Sequence, residues 1–236
     1  FNVTAPIPEG SQETYADLQM TSSEEGFPQL GDPDAPVTVT EISSFDCPAC
    51  AQFHDEVLPG LLERVAAGEV LFQYVPVFGT GSIPSGDLAY RAALCADEQG
   101  AFWTFHSALF AWQQFGARAF NMLRVSQGID ALELDQEQFG ACITNQEAPA
   151  LLGATQLYLE NEVPSFAGTP TVLINGEPSD WAPAVLFDAI DNALDGGAEA
   201  GDTDTSEGES TEGETSEDET SEDETSEEET SDESGE

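Results

Sequence analysis

Two cysteines separated by two residues offer the most distinctive chemistry in this sequence. Cys47 and Cys50 frame the tetrapeptide Cys-Pro-Ala-Cys, whose sulfurs can close a small disulfide ring and open it again. Proline suits the first position of a helix, so Pro48 predicts a helix that starts at this motif. Unpaired N–H groups at a helix start stabilise a thiolate and lower a cysteine pKa from about 8.5. We therefore predict Cys47 as the nucleophile and Cys50, one turn further in, as the resolving thiol.

Two acidic residues near this pair could change its reactivity. Asp46 directly precedes the first cysteine, and its charge should disfavour the thiolate and raise the pKa of that thiol. Glu41 lies in phase with Val37 and Val39, so a carboxylate shares the face that a strand would reserve for the core. A buried carboxylate there could carry the proton that the second cysteine loses or gains. The alternative is a carboxylate turned to solvent at a strand end.

The residues around the motif predict a strand, a helix and a second strand. Alternating apolar residues predict strands over 37–43 and 69–77. The helix between them begins at Cys47 and should be kinked at Pro59, where a backbone donor is missing. This order places the cysteine pair at a junction between a strand and a helix.

A second sheet-forming region lies near the end of the folded part. After a Gly-Thr-Pro turn, a short strand is predicted over 171–174, and the Asn-Gly pair that follows indicates a hairpin. A closing helix is predicted over 181–194, with Asp180 as candidate N-cap and Gly196 as candidate stop. The fold class is therefore α/β.

The region over 85–162 is predicted to be helical. Apolar residues recur at helical spacing and indicate the packing faces of a small helical bundle rather than a cofactor site. Cys95 and Cys142 lie within it, and they could form a structural disulfide or remain as free buried thiols; a secreted setting favours pairing. A zinc site is disfavoured because only one close cysteine pair exists. We expect no metal and no cofactor.

Composition divides the chain into three parts. Residues 1–30 are polar and predict an arm or linker, and residues 31–195 contain the predicted folded domain. Residues 196–236 carry no aromatic and no basic residue, so they cannot bury enough apolar surface to fold and should form a disordered acidic tail.

The charge of the chain is strongly negative. Its formal value is −43, with only four basic residues, all arginine. Such a charge repels nucleic acid and anionic membranes, so neither is expected as a partner. Salt screens self-repulsion, which favours a halophilic origin; an acidophile or an ordinary acidic secreted protein is the alternative. No apolar run is long enough to span a membrane, and any anchor is expected in a segment absent from this chain.

Three segments, in this order and spacing, resemble the DsbA-like thioredoxin family between Leu30 and Leu194. They are LGDPDAPVTVTEISSFDCPACAQFHDEVLP, CADEQGAFWTFHSALF and GTPTVLING. The resemblance implies a thioredoxin fold with an inserted helical domain at about 85–162. It also implies thiol–disulfide exchange on extracytoplasmic proteins that contain cysteines.

The same resemblance implies roles for individual residues. Pro170 is expected to be cis and to lie against the Cys47–Cys50 disulfide, and Thr169 would offer backbone hydrogen bonds to an extended substrate peptide. Glu41 matches the family's buried acid. Related sequences often pair cysteines at the places of Cys95 and Cys142, which implies a structural disulfide there.

One residue of the motif departs from the family. Ala49 stands where the best-known oxidases carry histidine, and with Pro48 it should set the redox potential of the pair. Without a histidine to stabilise the thiolate, the pair should be less strongly oxidising than in those members.

We expect oxidation of substrate thiols by a monomer that a membrane redox partner reoxidises, as the resemblance implies. A reductase or isomerase and a redox-inactive cell-surface binding protein are the alternatives.

Overall fold

A six-stranded sheet forms the centre of the molecule. The computed structural model describes residues 3–144 and 148–199, so the acidic tail predicted over 196–236 lies almost entirely outside the described residues. The strand order is β1-β2-β4-β3-β5-β6. The strands are β1 (Met20–Ser22), β2 (Pro28–Leu30), β3 (Val37–Ser44), β4 (Val70–Val77), β5 (Thr171–Ile174) and β6 (Glu177–Ser179).

The two long strands at the centre are those predicted over 37–43 and 69–77. β3 and β4 run parallel over their whole length, and β5 pairs with the other edge of β3 in antiparallel fashion. Every residue of β4 is buried, because helices cover both faces of the sheet. Its run Val-Leu-Phe-Gln-Tyr-Val-Pro-Val has the largely apolar composition typical of a central parallel strand.

Nine α-helices and one 3₁₀ helix occur in the described residues. They are α1 (Ser11–Ala16), α2 (Pro48–Glu56), α3 (Leu58–Ala66), α4 (Gly86–Asp97), α5 (Phe102–Trp112), the 3₁₀ helix (Gln113–Arg118), α6 (Met122–Ala131), α7 (Gln136–Thr144), α8 (Ala148–Glu162) and α9 (Pro183–Glu199). The predicted kink becomes a break between α2 and α3 at Val57, two residues before Pro59. No helix in this part of the chain combines the length and apolar composition needed to cross a bilayer.

The two faces of β3 contact different helices. Val37 and Val39 belong to the larger core, which also includes residues of α2, α3, α5 and α9. Ile42 points to the opposite face and packs in a smaller core with Val75 and Leu173, beside α8. Because side chains alternate along a strand, Glu41 shares the face of Val37 and Val39 and is directed toward α2.

The N-terminal segment differs from the prediction. An irregular arm was expected over residues 1–30, but residues 11–30 contain α1, β1 and β2, and β2 extends the sheet at β4. Tyr15, Phe27 and Leu30 are buried in the core. The prediction was wrong for these residues because a three-residue strand is too short to show an alternating pattern.

The end of the closing helix also differs. α9 continues through Gly196 to Glu199, so Gly196 does not stop the helix. A glycine inside a helix costs only about 1 kcal/mol relative to alanine, which neighbouring residues can offset. At the other end, Asp180 accepts a hydrogen bond from the backbone N–H of Ala182 at 2.8 Å, just before the helix begins.

A disulfide joins two helices of the segment between β4 and β5. Cys95 of α4 and Cys142 of α7 are bonded at an S–S distance of 2.01 Å. The structure thus pairs the two cysteines that the resemblance assigns to a structural bridge.

Candidate active site

The cysteine pair lies where β3 ends and α2 begins. Cys47 is the N-cap of α2, with extended backbone angles, and Pro48 and Ala49 occupy the first turn. Cys47 is 5% exposed and Cys50 is completely buried, and both are free thiols. The first sulfur therefore lies nearer to solvent than the second, in the arrangement expected for an attacking and a resolving cysteine.

The Thr169–Pro170 segment faces this pair. The peptide bond between Thr169 and Pro170 is cis, and the Cys47 thiol donates a hydrogen bond to the backbone carbonyl of Thr169 at 3.2 Å. Thr171, the first residue of β5, pairs with Ile42 near the end of β3. This pairing places the Thr169–Pro170 segment beside the end of β3, where the cysteine pair follows. Both Thr169 and Pro170 are half-exposed, so a polypeptide can reach them.

The two sulfurs have opposite pKa shifts. The pKa of Cys47 is lowered to about 5, mainly by a hydrogen bond with Cys50, with additions from the Thr169 side chain and the first backbone N–H groups of α2, while burial opposes the shift. Burial raises the pKa of Cys50, and interactions with Cys47 and Glu41 raise it further. At neutral pH the thiolate is therefore on Cys47, and Cys50 keeps its proton.

We expect the alkylation of Cys47 to report this shift. In the reduced protein, the rate of reaction with iodoacetamide should rise with pH around a midpoint of about 5, against about 8.5 for a free cysteine. Replacing Cys50 by alanine should move the midpoint upward, because that replacement removes the largest cause of the shift. A wild-type midpoint near 8.5 would contradict the assignment of the nucleophile.

Asp46, which directly precedes Cys47, is held by hydrogen bonds of its own. Its carboxylate is buried and accepts a hydrogen bond from the Ser44 hydroxyl at 2.7 Å. Backbone N–H groups of Gly79 and Gly81 donate to the same carboxylate at 2.7 and 2.8 Å. Three donors thus satisfy the carboxylate of Asp46.

A buried polar cluster lies beneath Cys50. Glu41 is 2% exposed, and Tyr74 is its register partner on β4. Ser43, two residues along β3, is on the same face and is completely buried. Burial raises the pKa of Glu41 to about 8, with the nearby Ser43 hydroxyl opposing the shift and the Cys47 charge adding to it. A carboxyl with such a pKa can both accept and release a proton near neutral pH.

Gln113 is a positioning residue that the sequence did not indicate. From the 3₁₀ helix after α5, its side-chain amide donates to the backbone carbonyls of Phe45 and Cys47 at 2.9 and 3.0 Å. A single glutamine at a helix end carries no pattern from which this contact could be inferred.

The two histidines pack behind the site. His54, on the turn of α2 after Cys50, contacts Ser107 through Nε2 at 3.2 Å, and its ring lies beside that of His106. Burial lowers the pKa of both rings, so both are neutral at neutral pH. Within the described residues, no group of three or more His, Cys, Asp or Glu side chains is placed to hold a metal ion.

The fold and the site together define a thiol–disulfide oxidoreductase with a thioredoxin fold. The family described as thioredoxin matches residues 23–195. A probable disulfide bond formation protein D of Bacillus anthracis is 36% identical over 174 residues, which are 70% of this chain and 76% of that protein. The chain belongs to the thioredoxin family, in its DsbA-like branch of disulfide oxidoreductases.

Two further comparisons cover very different shares of the matched proteins. A solved thioredoxin-like oxidoreductase of Silicibacter pomeroyi is 28% identical, with a TM-score of 0.59, covering 73% of this chain and 94% of that one. A Na(+)/H(+) antiporter NhaA 3 of Salinispora tropica is 30% identical over 167 residues, which are 71% of this chain. The chain spans about a quarter of the length of the curated antiporters that it matches.

Proposed function

We propose that this protein oxidises pairs of thiols in extracytoplasmic client proteins to disulfides. The observation that carries the proposal is the position of Cys47 at the N-cap of α2, between the buried Cys50 and the cis Thr169–Pro170 segment. An oxidase releases Cys47 as a leaving group, and a sulfur with a low pKa leaves readily.

The reaction transfers two electrons from client to enzyme. Of the two protons that the client thiols lose, one ends on Cys50 and the other goes to solvent, because Cys47 stays a thiolate at neutral pH. A client thiolate attacks Sγ of Cys47 in the Cys47–Cys50 disulfide, the S–S bond breaks, and Cys50 leaves as a thiolate that takes up a proton. A second client thiolate then attacks the client sulfur of the mixed disulfide, and Cys47 leaves. The client gains a disulfide and the enzyme becomes a dithiol. A membrane redox partner then restores the Cys47–Cys50 disulfide by removing the two electrons.

Glu41 is the proposed acceptor and donor of the Cys50 proton. Its charge contributes to the raised pKa of Cys50, and both groups are buried on the same side of β3. The Cys50 sulfur is completely buried, so water has poor access to donate a proton to it. Glu41, a buried acid with a pKa of about 8, donates the proton as Cys50 is released.

The lowered pKa of Cys47 supports the oxidising direction of exchange. A thiolate that is stabilised in the reduced enzyme favours the dithiol form and so makes the disulfide more oxidising. The value of about 5 lies between that of thioredoxin, about 7, and that of DsbA, about 3.5. We therefore expect a potential between those of the two proteins, about −270 and −120 mV.

A redox titration in glutathione buffers tests this function. The reduced and oxidised forms are quantified by alkylation and mass, and the oxidation of a reduced, unfolded protein is followed in parallel. A potential above about −230 mV together with client oxidation would support an oxidase. A potential at or below that of thioredoxin would favour the reductase alternative, and the absence of any exchange would favour a redox-inactive binding protein.

Replacing Glu41 by glutamine should change how stability depends on pH. The folded-state pKa of about 8 is above the unfolded value, so the neutral acid is the form that the fold favours. Wild-type stability is then complete below about pH 4 and falls as pH rises toward 8. We expect this fall to exceed that of Glu41→Gln by about 4–5 kcal/mol, measured by urea unfolding of the reduced protein.

An exposed glutamate provides the matched control. Glu137 on α7 is exposed, and Glu137→Gln removes the same charge from a surface position. This variant should keep the wild-type pH dependence, and its exchange rate should stay at the wild-type value. The exchange rate of Glu41→Gln should fall by up to about a hundredfold. Equal behaviour of the two variants would mean that Glu41 is not the proton carrier.

The proposed clients are proteins with cysteines outside the cytosol. Disulfide bond formation is what the name of the Bacillus anthracis relative states, and it applies to clients with cysteines. An extracytoplasmic setting suits this chemistry, because cytosolic reductants keep thiols reduced. The sodium–proton exchange named for the antiporters belongs to proteins of which this chain covers 24%.

A further inference from the structure

A cavity of about 460 Å³ lies between the N-terminal segment and the helices α2, α3 and α5. Among the described residues that line it, none belongs to the Cys47–Cys50 pair or to the Thr169–Pro170 segment. The cavity is therefore separate from the exchange site. Its size falls within the range of about 300–1,000 Å³ that is usual for small-molecule sites.

Hydrogen bonds to the rest of the fold hold the N-terminal wall of this cavity in place. The indole N–H of Trp112 donates to the backbone carbonyl of Pro6 at 2.9 Å. Nε of Arg124 donates to the backbone carbonyl of Thr4 at 2.7 Å. At the other end of the segment, Tyr15 is 2% exposed and packs in the core. Because both ends are fixed, a ligand does not have to order this wall when it binds.

The walls of the cavity are mostly apolar. Leu58, Pro59 and Leu62 contribute aliphatic groups from α3, and Pro8 and Tyr15 contribute apolar surface from the N-terminal wall. The removal of apolar surface from water is favourable in proportion to its area. The cavity thus suits a ligand with an aliphatic or aromatic body.

A few polar groups also line the cavity, and one of them has no partner. The Ser107 hydroxyl lies 2.8 Å from the Tyr15 hydroxyl and 3.2 Å from Nε2 of His54, so these three groups bond to one another. Ser11 is 7% exposed, and its Oγ is buried without a hydrogen-bond partner in the described part of the chain. A buried hydroxyl without a partner is unfavourable, and a ligand that supplies one gains affinity.

The charge at the cavity is negative. Glu9 and Glu63 line it, both are exposed, and neither takes part in an ion pair within the described residues. Arg64, next to Glu63 in sequence, is paired with two other carboxylates. Burial lowers the pKa of His54, so this ring adds no positive charge at neutral pH. The formal charge of −43 extends the same preference for cations over a longer range.

We propose that this cavity is a binding site for a small amphipathic amine. The apolar body of the ligand lies against Leu58 and Leu62, and its ammonium group lies near Glu9 and Glu63. Ser11 follows Glu9 by two residues on the same wall, so its hydroxyl oxygen can accept a hydrogen bond from the ammonium group. The inference does not rest on the proposed function, because the two sites are separate.

The test uses ligands that separate the charge from the apolar body. Octylamine carries both, octanol carries the body alone, octanoate carries the body with the opposite charge, and methylamine carries the charge alone. Binding to the full chain is followed by tryptophan fluorescence at constant ionic strength. The ring centroid of Trp103 lies 6.2 Å from that of Tyr15, which lines the cavity. Methylamine corrects for amines that associate with the acidic surface.

Two variants and their matched controls locate the ligand. Ala66→Phe places a phenyl ring in the cavity, because Ala66 lines it as the exposed last residue of α3. Ala131→Phe is its control, because Ala131 is the exposed last residue of α6. Glu9→Gln combined with Glu63→Gln removes the charge at the cavity, and Glu137→Gln removes a charge from the surface of α7.

We expect octylamine to bind the wild type with a Kd of about 0.1–1 mM, as its size allows. It should bind at least about threefold more tightly than octanol, and octanoate should bind most weakly. Ala66→Phe should raise the Kd for octylamine at least about tenfold by filling the cavity, and Ala131→Phe should leave it unchanged. The Glu9→Gln and Glu63→Gln double variant should bind octylamine and octanol equally, whereas Glu137→Gln should keep the preference.

Three results would overturn the inference. Unchanged octylamine binding in Ala66→Phe would place the ligand outside the cavity. Equal affinities of the wild type for octylamine and octanoate would show that the site does not select a cation. The absence of saturable octylamine binding would show that there is no site. Urea unfolding checks that Ala66→Phe is folded; if it is not, the preference for octylamine over octanol in the double glutamine variant decides alone, and a preserved preference refutes the site.

Discussion

Replacing Cys47 by serine is expected to reduce thiol oxidation to the uncatalysed background. Serine has nearly the same shape as cysteine, so the N-cap of α2 and the contact with Thr169 can persist. It cannot form a disulfide, and its hydroxyl is far too weakly acidic to act as an attacking or leaving group at neutral pH. The loss should appear with every substrate, in an assay that follows formation of disulfides in a reduced, unfolded protein.

The matching variant of the second cysteine should behave differently. Cys50→Ser also stops turnover, but it keeps the Cys47 sulfur at the helix start, where the first-turn N–H groups still stabilise the thiolate. It should therefore accumulate a mixed disulfide with a client or with glutathione, visible as a mass increase that a reductant removes. Cys47→Ser should form no such adduct, because its remaining sulfur is completely buried. An adduct in Cys47→Ser alone would reverse the assignment of the two roles. Adducts in both variants would show that both sulfurs are accessible and would contradict the assignment.

These two roles could be assigned from sequence because the relevant physics is local. A helix that starts with Pro48 places the preceding residue at its N-cap, and a cysteine three residues later falls one turn inside. The burial of Glu41 was also foreseeable, since the alternation along β3 fixes which face each residue occupies. Both inferences need only the spacing within one segment.

Contacts between distant segments could not be foreseen in this way. Gln113 and Thr80 reach the site from positions 66 and 89 residues away from their partners Cys47 and Thr169. Neither the glutamine nor the threonine belongs to a sequence pattern that would identify it as a site residue. The hydrogen bonds of Asp46 to the segment after β4 could not be foreseen for the same reason, because sequence shows that a charge is adjacent but not what its side chain contacts. Residues that close a site across the fold become visible only when the fold is known.

The bridge between Cys95 and Cys142 should contribute strongly to stability. It closes a loop with a sequence separation of 47 residues, and the loop-entropy relation gives about 3–4 kcal/mol for such a length. For a domain of this size that corresponds to a melting temperature roughly 10 °C higher. The measurement is thermal unfolding of a variant with Cys47→Ser and Cys50→Ser, with and without a reductant, so that only this bridge can be reduced.

This design separates the bridge from the loss of packing that alanine would cause. Cys95 is buried, and Cys95→Ala with Cys142→Ala would change the melting temperature through missing contacts as well as through the missing bond. In that double variant, built on the same background, a reductant should have no effect. The bridge joins α4 to α7 and thereby stabilises the helical segment that supplies Gln113 to the Cys47 backbone. Reduction should therefore unfold this segment at a lower temperature, and an unchanged melting temperature after complete reduction would show that packing alone holds it.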